Sequence, residues 1–249
     1  MEKDRPNPLI IAGPCALETQ EQFYSTVHSI YNYTDIIRVG VWKARTSPKN
    51  YPGIGHKGLP WIQSVQKKYK TPVAIEIGTP QHVEFALKYD VRFFWLGART
   101  TVNPFYVQEI AESLRGVSVE VWVKNPIFAD VKLWTGAIER LKRVGLKNIK
   151  IIHRGFHSEK KMIYRNNPKW SLVNAFRRNH PSIPVICDPS HIAGNKKHIY
   201  ELARRACGQR VDGLMIEVHN SPSNALSDSA QQLSPKEFKQ LLARLKYAS

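Results

Sequence analysis

The amino-acid sequence predicts an α/β fold, a single (β/α)8 or TIM barrel filling residues 1–249. Three observations predict it. Short apolar runs alternate with amphipathic stretches along the whole chain. Eight such runs occur, at residues 9–12, 36–42, 73–77, 93–96, 119–123, 149–152, 185–187 and 214–218. Several of them are β-branched and nearly unbroken, as parallel strands buried on both faces require. Each βα unit then averages about 31 residues, the size of a βαβ repeat. Strict alternation gives a parallel sheet, and eight units suggest closure. An open doubly wound sheet would carry a Gly-rich turn after its first strand, and none follows residue 12.

The helices can be taken in order. After the first run, Thr19-x-x-Gln22 reads as a capping box, and Phe23, Val27, Ile30 and Tyr31 share one face behind it. Thr79-Pro80 and Asn103-Pro104 each place a capping residue before a proline at the first helical position. Val107, Ile110, Ala111 and Leu114 then repeat at helical spacing, as do Trp134, Ala137, Ile138 and Leu141. The last helix opens at Ser234-Pro235-Lys236-Glu237 and buries Phe238, Leu241, Leu242 and Leu245. The longest irregular stretch runs from Gly155 to about Trp170, after the sixth strand, where a barrel places an active-site loop.

Composition narrows the class. Neither a signal peptide nor an apolar run of membrane-spanning length is present, so a cytoplasmic protein is expected. Cys15, Cys187 and Cys207 are too few and wrongly spaced for a disulfide framework or a zinc knuckle. Thirty-seven basic against 20 acidic residues give a net charge of +17. Paired basic residues such as Lys67-Lys68, Lys160-Lys161, Arg177-Arg178, Lys196-Lys197 and Arg204-Arg205 are scattered over outer helices and loops. That reads as a solvated basic surface rather than a nucleic-acid or membrane face.

A barrel carries its chemistry at the C-terminal ends of its strands. Here those ends read Gly13-Pro14-Cys15, Lys43 to Pro48, Glu76, Gly97-Ala98-Arg99-Thr100, Lys124-Asn125, His153-Arg154-Gly155, Asp188-Pro189-Ser190-His191 and Glu217-Val218-His219, with Asp228 in the final loop. Singly, each has an ordinary explanation in packing, capping or surface charge. Jointly they place a reactive or charged group after every strand. Cys15, His191, Glu217 and Asp228 offer sulfur, nitrogen and carboxylate oxygen, a mixed set that suits Mn, Fe, Co or Zn and not Mg or Ca. Arg38, Lys43, Arg45, Arg99, Lys124 and Arg154 are cations around the same mouth. They make sense together if the ligands bring phosphates and a carboxylate.

These motifs, with Ile216 to His219 and Ala225 to Asp228, occur in the order found in the 3-deoxy-7-phosphoheptulonate (DAHP) synthases, and the chain resembles that family over nearly its whole length. The closer likeness is to the type Iβ group, which shares ancestry with KDO8P synthase, and to the catalytic barrel of forms fused to chorismate mutase. The resemblance implies condensation of phosphoenolpyruvate with erythrose 4-phosphate, the first step of the shikimate pathway toward aromatic amino acids. It implies Cys15, His191, Glu217 and Asp228 as ligands of a divalent metal, manganese among the candidates. It implies that Arg99, Lys124 and Arg154 hold phosphoenolpyruvate, with Arg38 and Glu76 nearby. It implies too that Lys43 lies close to both substrates and that Arg45 and Thr46 bind the phosphate of the aldehyde. Lys43, Cys15 and His191 are thereby the expected catalytic residues, Lys43 as proton donor to the developing alkoxide.

Two departures matter. Ala44 stands where the family has proline in Lys-Pro-Arg-Thr, which frees a dihedral in a phosphate-binding loop. The chain begins about eight residues before the first strand, so neither a regulatory domain nor a chorismate mutase domain is expected. A separate mutase is a possible partner, and a homo-oligomer is implied. The nearest rival is KDO8P synthase, which uses arabinose 5-phosphate and carries Lys-Ala-Asn-Arg-Ser. Ala44 matches that pattern, but the missing Asn and the Arg45-Thr46 order favour DAHP synthase. A non-catalytic binding protein on the same barrel would use the +17 charge for RNA, DNA or an acidic partner. It would have no use for the ligand set and the cations together.

Overall fold

The structure, a computed structural model, describes residues 8–160 and 162–246. The polar N-terminal segment up to residue 7, and Lys161 of one basic pair, lie outside the described residues. Eight parallel strands close in chain order: β1 (Leu9–Gly13), β2 (Ile36–Val39), β3 (Val73–Ile77), β4 (Phe93–Leu96), β5 (Glu120–Lys124), β6 (Asn148–His153), β7 (Val185–Cys187) and β8 (Gly213–Glu217). Five residue pairs from Leu9–Gly213 to Gly13–Glu217 join β8 back to β1, so no edge is left open. The expected (β/α)8 barrel is the observed fold.

Helices α1 (Gln20–Ile30), α2 (Leu59–Tyr69), α3 (Pro80–Lys88), α5 (Pro104–Ser113), α6 (Val131–Arg143), α7 (Trp170–Asn179), α9 (Ile199–Gly208) and α10 (Pro235–Lys246) form the outer ring. Two short helices, α4 (Ala98–Thr101) and α8 (Pro189–Ala193), follow β4 and β7 directly, and are too short for periodicity to announce. The caps largely form as the sequence indicates. Thr19 accepts from the Gln22 amide at 3.1 Å, although the Gln22 side chain turns to the Glu18 amide instead of closing the box. Ser234 and Glu237 close theirs reciprocally, at 3.3 and 2.8 Å. Among the described residues, no helix is long and apolar enough to cross a membrane.

The pleat sorts the strand residues. Outward side chains such as Ile37, Val39, Ile75, Val121 and Ile151 pack with Phe23, Val27, Leu59, Ile110, Trp134 and Phe176 in one continuous core. Each such burial contributes about 1.5–3 kcal/mol. Inward, Ile11, Ile36, Ala74, Trp95, Trp122, Ile152, Ile186 and Met215 fill the barrel. Two residues further along their strands, the same inward rows continue as Arg38, Glu76, Lys124 and Glu217. The barrel interior therefore changes from apolar to charged within one strand step.

The structure shortens one run and anchors one loop. β2 stops at Val39, not at Trp42. The Gly40 carbonyl accepts from Leu17 N at 2.8 Å and Lys43 N donates to the Pro52 carbonyl, so these groups leave the ladder. The loop after β6 is pinned where Phe156 and Asn167 exchange two backbone hydrogen bonds of 2.8 Å.

Candidate active site

Two buried ion pairs close the upper end of the barrel. Arg38 Nη1 lies 2.5 Å from Glu217 Oε1, with the side chains 1% and 0% exposed. Lys124 Nζ lies 3.2 Å from Asp188 Oδ2. Both cations sit over Trp95, at 5.1 and 5.7 Å from its ring. The Trp95 indole donates to Glu76 Oε2 at 3.0 Å. Gly97 makes room for that carboxylate, since a Cβ there would stand 2.2 Å from Glu76 Oε1. Gly13 allows the closest approach of all: with φ +154°, an added Cβ would meet the Arg38 carbonyl oxygen at 2.1 Å. The glycine of Gly13-Pro14-Cys15 thus lets β1 and β2 run together beneath Cys15.

The four expected ligands gather at this end as two pairs. Cys15 Sγ lies 3.3 Å from Asp228 Oδ2, and His191 Nδ1 lies 3.8 Å from Glu217 Oε1. Burial, with the charge of Glu217, pushes the Cys15 thiol up to about 12, so it is a neutral donor to Asp228 at pH 7. Burial lowers the His191 imidazole, against the pull of Asp188, and the ring is neutral as well. Burial opposes ionisation of Glu217 and Asp228 too, but their carboxyls are held below the ordinary range. With His191 neutral, the lasting partners are the fixed cations, Arg38 for Glu217 and Arg165 for Asp228. Arg165 Nη1 reaches Asp228 Oδ1 at 2.8 Å. Among the described residues, no three His, Cys, Asp or Glu side chains stand together as a group that could hold a metal ion. The donor chemistry nevertheless suits one: a thiol beside a carboxylate, an imidazole beside another, and a buried His191 Nδ1 without a hydrogen bond. That nitrogen is 2.8 Å from Asp188 Oδ2 but not aligned for a bond.

Cations line the rim. Lys43 Nζ donates to the Cys15 carbonyl at 3.1 Å and sits 3.2 Å from its sulfur. Burial would lower the Lys43 ammonium, but with Cys15 a neutral thiol the carboxylates of Glu76 and Glu217 hold it above its ordinary value, so it stays charged. Arg45 donates to Tyr51 O at 2.8 Å and to Ser227 Oγ at 2.5 Å, with Asp228 3.8 Å away. Arg99 Nη2 donates to Thr46 Oγ1 at 2.9 Å, bringing the β4 and β2 ends together. Burial, joined by repulsion from Arg165 and Arg99, brings the Arg154 guanidinium down to about 10, still charged at pH 7. Every residue expected from the sequence stands at this one end of the barrel.

A model of the DAHP synthetase I family matches residues 3–248. The chain belongs to that family. Phospho-2-dehydro-3-deoxyheptonate aldolase of Thermotoga maritima is 30% identical over 239 residues, covering 95% of this chain and 68% of that protein. The crystal structure of a Thermotoga maritima protein of that name, also called DAHP synthase, superposes with a TM-score of 0.86 at 27% identity, over 96% of this chain and 68% of the other. A 2-dehydro-3-deoxyphosphooctonate aldolase of Nitratidesulfovibrio vulgaris is 25% identical over 246 residues, covering 88% and 84% of the two chains. The enzyme class expected from the sequence, a 3-deoxy-7-phosphoheptulonate synthase, is that of the heptonate relative.

Within this DAHP synthetase I barrel, the sequence left several site residues unmarked. Arg165 lies 12 residues past the end of β6 at His153, so an inspection of strand ends passes it by. Asn166 lies in a loop and Gln231 ends a short 3-10 turn (Ser229–Gln231), neither with a local signal, while Ser227 stands within the Ala225 to Asp228 motif with no role assigned to it. Gln231 donates to Glu217 Oε2 at 2.7 Å and accepts from Arg165 at 3.1 Å. Asp188 carried a signal of another kind: it caps α8 through the His191 amide at 3.0 Å and holds Lys124 with its second oxygen.

Proposed function

We propose that this chain condenses phosphoenolpyruvate with erythrose 4-phosphate, giving DAHP and inorganic phosphate, the entry reaction of aromatic amino acid biosynthesis. The observation that carries the reading is the excess of fixed cations at one barrel mouth. Arg38 and Lys124 are neutralised by buried carboxylates, while Arg99 and Arg154 have no carboxylate partner among the described residues. Fixed cations at a half-buried mouth are a receptor for phosphates and a carboxylate. Arg99, Arg154 and Lys124 would hold phosphoenolpyruvate, with Arg38 and Glu76 shaping its site. Arg45 and Thr46 would take the aldehyde's phosphate.

The reaction joins the methylene carbon of phosphoenolpyruvate to the aldehyde carbon. Water adds at the enol carbon, and phosphate leaves by carbon–oxygen cleavage. The chain's part is to hold two anionic substrates in reacting geometry. Lys43, charged and beside Cys15, donates a proton to the developing alkoxide. Cys15, His191, Glu217 and Asp228 would hold a divalent metal (Mn, Fe, Co or Zn), which when bound polarises a carbonyl as a Lewis acid. The Arg45-Thr46 pair favours the four-carbon aldehyde over arabinose 5-phosphate.

Chelator-stripped protein, resupplied with Mn²⁺, is expected to consume phosphoenolpyruvate and release phosphate with erythrose 4-phosphate. Arabinose 5-phosphate run in parallel should give little turnover. Preference for the five-carbon sugar would move the chain to the octonate activity. No turnover with either, in folded and metal-loaded protein, would defeat both readings.

A further inference from the structure

The β6–α7 loop contributes two residues to the site, and one of them bridges two neighbours as acceptor and donor at once. Backbone hydrogen bonds of 3.1 Å from Arg165 N to Ala193 O and from Asn166 N to Ile192 O lay this part of the loop along α8. The Asn166 side chain, 5% exposed, is thereby trapped between β6 and α8. Its Oδ1 accepts from Arg154 Nη1 at 3.1 Å, and its Nδ2 donates to the His191 carbonyl at 2.7 Å.

We infer that Asn166 is a positioning residue that fixes the Arg154 guanidinium for the anionic substrate and ties it to the turn carrying His191. The inference rests on the reading of Arg154 as a phosphoenolpyruvate-binding group. Three facts support it. An amide is donor and acceptor at once, so one side chain can brace both neighbours. Its oxygen is uncharged, so it orients the fork of Arg154 without cancelling the charge a phosphate or carboxylate needs. The Arg154 guanidinium has one other hydrogen bond, to the Gly155 carbonyl at 3.5 Å; Asp188 attracts it without forming an ion pair, and Arg165 and Arg99 repel it, so Asn166 is its closest side-chain anchor. A carboxylate at position 166 would hold the guanidinium more strongly and offer the ligand less positive charge.

The test is calorimetric binding of phosphoenolpyruvate to metal-stripped protein, which needs neither metal nor turnover, followed by steady-state kinetics of the Mn²⁺-loaded enzyme. Asn166→Ala is expected to weaken phosphoenolpyruvate binding on the order of tenfold. Its KM for that substrate should rise in step, while KM for the aldehyde stays within about twofold. A purely structural role would instead lower the active fraction, reducing kcat with both KM values unchanged. In an Arg154→Lys background, which removes the fork but keeps the charge, Asn166→Ala should add almost nothing. Asn166→Asp should also bind phosphoenolpyruvate more weakly while remaining folded. Unchanged binding in folded Asn166→Ala would overturn the inference, as would an equal loss with and without the Arg154 fork. If Asn166→Ala does not fold, Asn166→Ser, too short to bridge both partners, is measured against the same expectations. Failure of the unsubstituted protein to bind phosphoenolpyruvate would remove the underlying reading of Arg154 as well. That result is distinct from a wild type that binds and a variant that binds equally.

Discussion

The two mouths of the barrel are built from the same inward rows of the same strands, yet they handle charge in opposite ways. At the lower mouth, Glu120 pairs with Lys150 and also accepts from the Trp122 indole, so the pair is satisfied locally. At the upper mouth, two strand steps away, Arg38 and Glu217 pair in nearly complete burial, surrounded by further cations. Among the described residues, the buried side-chain atoms without a hydrogen bond are Arg38 Nε, both nitrogens of His153, Trp170 Nε1, His191 Nδ1 and His219 Nε2, and all belong to residues in or beside the upper end. Buried polar atoms are normally bonded, so their concentration at one end marks a region built for something other than stability.

The sharpest way to break the comparison is to delete one cation from each mouth. Arg38→Met leaves Glu217 charged and buried and should cost about 3–5 kcal/mol in urea unfolding. Lys150→Met leaves Glu120 partly exposed, at 18%, and still bonded to Trp122, so about 1 kcal/mol is expected. Equal losses would show that the two pairs are energetically alike and that the upper mouth has no special status. The comparison also extends to turnover, which Arg38→Met should abolish and Lys150→Met should leave near wild type.

A second contrast is in acid sensitivity. His153 ends β6 at the upper mouth, packed 4.6 Å from the Trp170 ring and fully buried. Burial, with repulsion from Arg154, lowers its imidazole to about 3. In the unfolded chain it titrates near 6.5, so between about pH 6.5 and 3 the unfolded state binds the extra proton. Stability is therefore complete above pH 6.5 and falls as the pH drops through that window. His153→Phe should flatten the dependence there by up to about 1.4 kcal/mol per pH unit. Urea midpoints of the two proteins at pH 7 and pH 5 measure it, and parallel pH profiles would place the acid-sensitive group elsewhere.

The contrast between mouths also governs what was legible in the sequence. The barrel was readable because its determinants are local: alternating runs, and caps at Thr19, Thr79, Asn103 and Ser234. The groups at strand ends were readable because the fold predetermines where strand ends point. The rest is held by contacts between residues far apart in sequence. Arg165 meets Asp228 across 63 residues, and Asn166 meets His191 across 25, from a loop with no periodicity to place it. The early end of β2 belongs to the same class, since Gly40 leaves the ladder to serve Leu17.

The smallest effect tests the rim at Ala44, which stands where the Lys-Pro-Arg-Thr pattern has proline. Ala44 is exposed, between Lys43, which faces Cys15, and Arg45, which faces Ser227 and Asp228. Its backbone N–H has no hydrogen-bond partner among the described residues, so a proline would forfeit nothing there. Fixing φ should reduce the freedom of the unfolded chain and stabilise the protein by about 0.4–1 kcal/mol. It should also hold Arg45 and Thr46 closer to their phosphate-binding arrangement, lowering KM for erythrose 4-phosphate a few-fold and leaving KM for phosphoenolpyruvate unchanged. An effect on both KM values would mean that the 43–48 loop serves the two substrates jointly, through Lys43. No effect on either, with the stabilisation present, would mean that Arg45 is already fixed by Tyr51 and Ser227 and needs no help from the backbone.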